Sequence, residues 1–348
     1  MDAIQLLKEL IRTESLSKKE DKSAEIIENF IQSRGIRTYR HKNNVWALNK
    51  HFDANLPTIL LNSHHDTVKP NPGYTRDPFE PTIENDKLYG LGSNDAGGAL
   101  VSLIATFIHF YEKPHLNYNM VIAATAEEEI SGKNGIECIL DQLPKLDLAI
   151  VGEPTLMDMA IAEKGLMVLD CKATGVSGHA ARDEGTNAIY IAMNDIAWLK
   201  SFQFPEVSDT LGPVKMTTTI INAGSQHNVV PSECSFTVDV RSTDAYTNEE
   251  VFAIIEEHVS SKVEARSFRL KPSSIPEDHE LVQAGIQLGR KTYGSPTTSD
   301  QAVIPVTSLK MGPGDSARSH SANEFIYVSE IEEGIEIYIN LLGKILVH

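Results

Sequence analysis

Cysteine is scarce in this chain: three residues in 348, Cys138, Cys171 and Cys234, with no CxxC pair among them. That excludes a disulfide framework and a thiolate metal cluster, and leaves the three as small buried hydrophobes of a reducing compartment. Long hydrophobic runs are also missing. The longest apolar stretch, Gly98 to Tyr111, is broken by Ser102, Thr106 and His109 and is too short to span a bilayer. The first residues, MDAIQLLKELIRTES, carry charges throughout and lack the apolar core of a signal peptide, so the expectation is a soluble cytoplasmic protein without membrane contact. Positive charge is in deficit, with 31 Lys and Arg against 48 Asp and Glu and a net charge of −17, which argues against nucleic acid as a partner. No Lys-Ser/Thr pair follows Gly97-Gly98, so these glycines are not a phosphate loop.

What is present is an ordinary globular composition, 41% hydrophobic and 23% charged, in a chain whose length suits two domains. Ile4, Leu7, Leu10 and Ile11, then Ile26, Ile27, Phe30 and Ile31, repeat at helical spacing. Strands are expected over Thr38–Leu48 and Thr58–Asn62, and the loop KPNPGYTRDPFEP is too rich in proline for regular structure. An apolar helix follows from about Ala99. Strand MVIAATA (Met120–Ala126), helix Ile136–Leu143 and strand Leu148–Val151 complete a β-α-β rhythm that implies a largely parallel sheet flanked by helices, an α/β architecture. Beyond Glu163 the strands alternate polar and apolar residues, as in SFTVDVR (Ser235–Arg241), and two helical stretches accompany them. This is read as an inserted α+β domain over residues 164–270, with residues 1–163 and 271–348 forming the first domain. Helix Glu280–Thr292, strand Val306–Met311 and helix Val328–Leu346 complete that first domain.

The apolar strands end in acid and imidazole. Ile59–Leu61 runs into Ser63-His64-His65-Asp66, MVIAATA into Glu127-Glu128-Glu129, and Leu148–Val151 into Gly152-Glu153. Parallel sheets carry their sites at the carboxyl ends of strands. On a strand His64 and Asp66 share a face, a geometry that suits a ligating imidazole held from behind by a carboxylate. A polar turn is the plain alternative for that stretch, and a helix cap is the plain alternative for Asp95. Together His64, Asp95, Glu129, Glu153 and His320 supply two imidazoles and three carboxylates. Such N/O ligands suit zinc, with cobalt or manganese as substitutes. Three carboxylates exceed what one catalytic zinc usually takes, so two ions sharing a bridging carboxylate is the economical reading, with Glu128 beside them to accept a proton.

The strings SHHDTVKP, LYGLGSNDAGG, TAEEEISG, VGEPT, GVSGHAA, NVVPSECSFTVDVR and GPGDSARSH, in this order across the whole chain, resemble the dinuclear zinc amidohydrolases. That family includes acetylornithine deacetylase, succinyl-diaminopimelate desuccinylase, acyl-lysine deacylase, aminoacylase and the glutamate carboxypeptidases. The resemblance implies that Asp95 bridges two zinc ions, with His64 and Glu153 completing one site and Glu129 and His320 the other. It makes Asp66 the residue that orients His64 and Glu128 the general base. His179 matches a histidine that reaches across a dimer interface to the neighbouring active site and helps stabilise the oxyanion. Asn228 and Arg241 match positions that hold the substrate's carbonyl or carboxylate. The inserted domain would be a lid and dimerisation domain, and the protein a homodimer. Two positions depart from the family's pattern: Glu127 stands where Asp is usual, and Ala96 where Asp or Met is common. The string VGEPT and the compact length look most like the acetylornithine deacetylase branch. The expected substrate is therefore an N-α-acyl derivative, acetyl or succinyl, of a basic amino acid such as ornithine or citrulline. Desuccinylase, acyl-lysine deacylase and dipeptidase activities are the alternatives, and a catalytically silent metal-binding dimer comes last. Arg182 and Arg318 are candidates for a cation near the acyl pocket, with surface charge as the alternative for each. His65, His109, His115 and His227 are read as structural or surface residues.

Overall fold

The computed structural model of the chain describes residues 2–182 and 184–347. They form two compact units. One comprises residues 1–161, 274–293 and 299–348, and the other residues 162–273 and 294–298.

The first unit is built on a mixed, mostly parallel sheet flanked by helices. At its centre the strands Asn119–Thr125, Thr58–His64, Leu148–Val151 and Ser308–Lys310 lie side by side, all parallel. Antiparallel pairing of Asn44–Leu48 with Asn119–Thr125, and of Thr38–His41 with Asn44–Leu48, extends one side. Every residue of Thr58–His64 and of Asn119–Thr125 is buried, as the continuous apolar runs demand of strands covered on both faces. The period of two sorts their side chains between two cores. Ile59, Leu61, Met120, Ile122, Leu148 and Ile150 join one, and Leu60, Val121, Ala123, Ala149 and Val151 join the other. Helices Asp2–Ile11, Gly98–Tyr111 and Val328–Leu346 pack on the first face. Gly98–Tyr111 is apolar nearly all round because most of its length is buried.

Some elements are shorter or tighter than the sequence pattern implies. Residues Ile136–Gln142 form a 3-10 helix rather than an α-helix. The helix expected to reach Thr292 is Glu280–Gln287 and stops where Gly289 takes a left-handed φ of +77°. The strand expected from Val306 is confined to Ser308–Lys310, whereas the last helix, Val328–Leu346, has the expected bounds.

The second unit is a four-stranded antiparallel sheet, ordered Lys215–Ala223, Glu233–Arg241, Met167–Thr174, Lys262–Ala265, with helices Ala188–Ser201 and Asn248–His258. Met167, Leu169, Cys171 and Ala173 alternate inward and meet Phe236, Val238 and Val240 in a core of their own, while Asp170 and Lys172 face out. Thr247 and Glu250 close a reciprocal capping box at the start of Asn248–His258. No helix among the described residues is long and apolar enough to cross a membrane.

Candidate metal centre

His64 is the last residue of its strand and is 1% exposed. Its Nδ1 lies 3.0 Å from the main-chain oxygen of Asp66, and the Asp66 carboxylate stands 3.4 Å from the same nitrogen. Asp66 thus stands behind the His64 ring with both its main-chain oxygen and its carboxylate. A neutral ring that donates from Nδ1 leaves Nε2 as a bare acceptor. That Nε2 faces Asp95 Oδ1 at 3.3 Å, Glu153 Oε1 at 3.8 Å and Glu128 Oε2 at 3.9 Å, and it has no hydrogen-bond partner among the described residues. A lone pair aimed at three carboxylates in a buried site repels them unless a proton or a cation lies between.

Asp95 turns this pocket into a double one. Its other oxygen, Oδ2, lies 3.5 Å from His320 Nε2, which in turn is 3.0 Å from Glu129 Oε2. One carboxylate therefore presents one oxygen to each of two imidazoles. Asp95 is not a helix cap: helix Gly98–Tyr111 is preceded by Gly97, and Asp95 sits in a π-turn, Ser93–Gly97, with extended backbone of its own. The turn folds so tightly that a Cβ on Gly97 would sit 2.4 Å from the Gly92 carbonyl oxygen. His64, Asp95 and Glu129, and separately His64, Glu128 and Glu153, offer ligand atoms within 4.8 Å of one another.

The remaining acids are delivered by a turn at the exit of Asn119–Thr125. Glu127 adopts a left-handed φ of 55° and starts the 3-10 turn Glu128–Ile130, which aims Glu128 and Glu129 inward. Asp66 anchors it, accepting the Glu128 N–H at 3.0 Å, the Glu129 N–H at 3.3 Å and the Ser17 hydroxyl at 2.7 Å. Glu127 turns away and accepts from the Asn134 amide at 2.9 Å. His65 points to the other side, with Nδ1 2.9 Å from the Ser23 hydroxyl and Nε2 2.8 Å from the Asn43 carbonyl oxygen, and burial lowers its pKa to about 4.

Burial pushes Glu128 well above the usual carboxylate range, with Glu153, Asp300 and Glu129 adding to the rise and His64 opposing it. Burial likewise takes Glu153 up to about 8. The Glu129 carboxylate raises His320 to about 9. For His64, burial lowers the pKa, but the Asp66 and Asp95 carboxylates outweigh it and the net position is well above an ordinary imidazole. With pKa values above 7, Glu153 and His320 would give up protons on ligating a cation.

Two acids beside this centre carry no sequence signal. Asp300, 8% exposed at the start of the 3-10 turn Asp300–Val303, accepts from the Asn62 amide at 2.7 Å and the Thr125 hydroxyl at 2.9 Å, and burial raises its pKa. Glu324 lies under the loop that carries Asp95. Each follows a polar stretch in the sequence, and the packing of distant segments supplies its partners.

His179, Asn228 and Arg241 lie in the second unit. His179 is exposed on a short strand paired with Val229, and its Nδ1 accepts from the Ala181 N–H at 3.1 Å. Asn228 is exposed beside it, its main-chain oxygen taking the Ala180 N–H at 3.0 Å. Arg241 is half-buried, with Nε 2.8 Å and Nη2 3.1 Å from the Asp239 carboxylate and Nη1 3.2 Å from Thr298 Oγ1. Neither arginine proposed for the acyl group is an unpaired cation: Arg318 forks onto Glu330, and Arg182 lies 3.6 Å from Glu184.

Comparison with known proteins decides the family. The model of peptidase family M20/M25/M40 matches residues 60–344. The chain belongs to this family. It is thereby an amide hydrolase whose acid and imidazole cluster is a candidate metal site. Among curated relatives, acetylornithine deacetylase of Proteus mirabilis is 28% identical, over 97% of this chain and 95% of that protein. Succinyl-diaminopimelate desuccinylase of Psychromonas ingrahamii is 26% identical, over 98% of each. Among solved structures, a dinuclear metal-binding M20 peptidase from Bacillus subtilis shares the fold, with a TM-score of 0.70 at 16% identity, over 99% of this chain and 97% of that one.

Proposed function

We propose that the protein is a two-zinc hydrolase that removes an N-α-acyl group, acetyl or succinyl, from a basic amino acid such as ornithine or citrulline. The observation that carries the reading is the division of Asp95, one oxygen toward His64 and the other toward His320. His64 and Glu153 would hold one ion, Glu129 and His320 the other, and Asp95 both. The orphaned Nε2 of His64 fits a cation, and the all-N/O donor set suits zinc, with cobalt or manganese as replacements. When bound, such ions acidify water and polarise an amide carbonyl.

The chain's own groups supply the rest. Glu128, at the edge of the cluster, takes the proton from attacking water at a carboxylate oxygen and returns it to the departing amine. A high proton affinity assists the first half of that cycle, and burial already provides it. Asp66 holds the Glu128 and Glu129 backbone and the His64 ring in one register. The roles of His179 at the oxyanion, and of Asn228 and Arg241 toward substrate, rest on the family register.

The names of the two relatives support an acyl-amino-acid substrate and leave acetyl and succinyl both in play, so a place in arginine biosynthesis belongs to the first and diaminopimelate desuccinylation is the second reading. Acyl-lysine deacylation and dipeptidase activity follow. A homodimer through the second unit is supported by its outer strand Lys215–Ala223, which ends the sheet and exposes Ile220 and Ile221, and by Tyr190 and Met193 exposed on the adjoining helix. A cytoplasmic location accords with the scarce cysteines, all free.

The test is hydrolysis by zinc-loaded protein of acetylornithine, acetylcitrulline, their succinyl analogues, succinyl-diaminopimelate and a dipeptide set. Cleavage of an α-acyl ornithine or citrulline at least about tenfold faster in kcat/KM than the others is expected, a difference of about 1.4 kcal/mol in transition-state binding. A preference for dipeptides would overturn the substrate assignment. In the same preparation, light scattering is expected to give twice the chain mass, and a single-chain mass would remove the dimer.

A further inference from the structure

Glu324 is a buried acid that the chemistry above leaves unused. It is 1% exposed and immediately precedes the strand Phe325–Tyr327, whose pairing with Lys87–Tyr89 sets it opposite Gly90. The Gly90 N–H bonds its main-chain oxygen at 3.0 Å. Its carboxylate is spent on backbone: Oε1 accepts the Asn94 N–H at 2.9 Å and the Asp95 N–H at 3.0 Å, and Oε2 accepts the Gly92 N–H at 3.3 Å. The Asn94 side chain ties the same turn to the segment that bears His320, accepting the Asp315 N–H at 3.0 Å and donating to the Asp315 carbonyl at 3.0 Å. So the turn carrying Asp95 and the segment carrying His320 clasp each other on both sides.

The placement of Asp95 has little slack. Its oxygens stand 3.3 and 3.5 Å from two different imidazoles, and a shift of about 1 Å would give both to one side. A buried carboxylate beside other acids is costly, and an apolar side chain could fill the same space. What such a side chain lacks is an acceptor for three converging N–H groups. We propose that Glu324 is a positioning residue: by gathering the N–H groups of Gly92, Asn94 and Asp95 it holds the Asp95 carboxylate between His64 and His320, so that one side chain serves two ion sites. The inference rests on the reading of Asp95 as the shared ligand.

The test compares Glu324→Gln with Glu324→Met in the full chain. Both are uncharged and close to glutamate in length, but only glutamine keeps an oxygen for Asn94 and Asp95. Zinc and cobalt are titrated into ion-free protein by calorimetry, with Tm recorded alongside. Glu324→Gln is expected to bind within about threefold of the parent. Glu324→Met is expected to bind at least about tenfold more weakly, the range seen when outer supports of metal ligands are removed. At saturating metal it should lose kcat more than it raises KM. Equal ion affinity in the two variants, with only Tm lowered in Glu324→Met, would reduce Glu324 to a structural residue and overturn the proposal. Should Glu324→Met not fold, Glu324→Asp replaces it. The shorter acid keeps the charge and loses the reach, so it must bind more weakly than Glu324→Gln, and tighter binding would be fatal. Asp95→Asn in the same titration separates the two levels: if it holds both ions unchanged, the shared-ligand reading falls rather than the role of Glu324.

Discussion

Glu128→Gln is expected to leave the protein folded with its ions bound, while turnover of the preferred acyl-amino acid falls by roughly a hundred- to ten-thousand-fold. The amide is isosteric with the acid, so it can fill the same place above the turn Glu128–Ile130, whose backbone is pinned by Asp66. What it removes is the ability to accept and return a proton. Metal retention is expected because the reading gives the ions five other ligands, His64, Asp95, Glu129, Glu153 and His320, and leaves Glu128 to the proton transfer. The loss should appear in kcat, since a group that moves protons in the transition state contributes little to ground-state binding. A metal-loaded Glu128→Gln variant turning over within about threefold of the parent would remove Glu128 as the base.

The second large effect separates adjacent histidines. His64→Ala should weaken ion binding by more than about a hundredfold, beyond the range for loss of a mere supporting group, and abolish activity. His65→Ala should retain both ions. It leaves the Ser23 hydroxyl without the ring and the Asn43 carbonyl without a donor, at a cost of about 1–3 kcal/mol in stability. Metal analysis of the two purified variants, with thermal melts alongside, reads both results. Metal loss in His65→Ala with retention in His64→Ala would break the register of the whole site.

The parts of this centre that the sequence makes visible share one physical cause. A strand covered on both faces must be apolar along its length, so an abrupt change to His, Asp or Glu marks where it leaves the core. Thr58–His64, Asn119–Thr125 and Leu148–Val151 all do this at the same edge of the sheet. His320 follows the fourth parallel strand, Ser308–Lys310, at the end of a glycine-rich loop and takes a left-handed φ of 58°. Chain order alone could not show that it meets Asp95; the family register implied it.

What stays hidden depends on packing between distant segments. Asp300 is separated from its partner Asn62 by 238 positions, and Glu324 from Asp95 by 229. Each is a single acid with no partner near it in the sequence, so sequence gives no reason to expect a buried, hydrogen-bonded carboxylate there. Asp95 has the composition of a helix cap, yet the turn around Ser93–Gly97 turns its side chain between two imidazoles instead. Asp66 shows the same limit: alternation places it beside His64, but only the structure reveals that its carboxylate also gathers the Glu128 and Glu129 amides.

The most direct test of the account is calorimetric titration of zinc into ion-free protein at pH 7, repeated in two buffers of different ionisation enthalpy. Burial holds Glu153 up to about 8 and the Glu129 carboxylate holds His320 up to about 9, so both carry protons at pH 7 in the ion-free chain. Ligation requires them deprotonated, so binding must release protons, at least about one per chain, and tighten as pH rises toward 9. The account predicts two ions bound per chain with that net release. One ion or none, or binding that is indifferent to buffer, would contradict it.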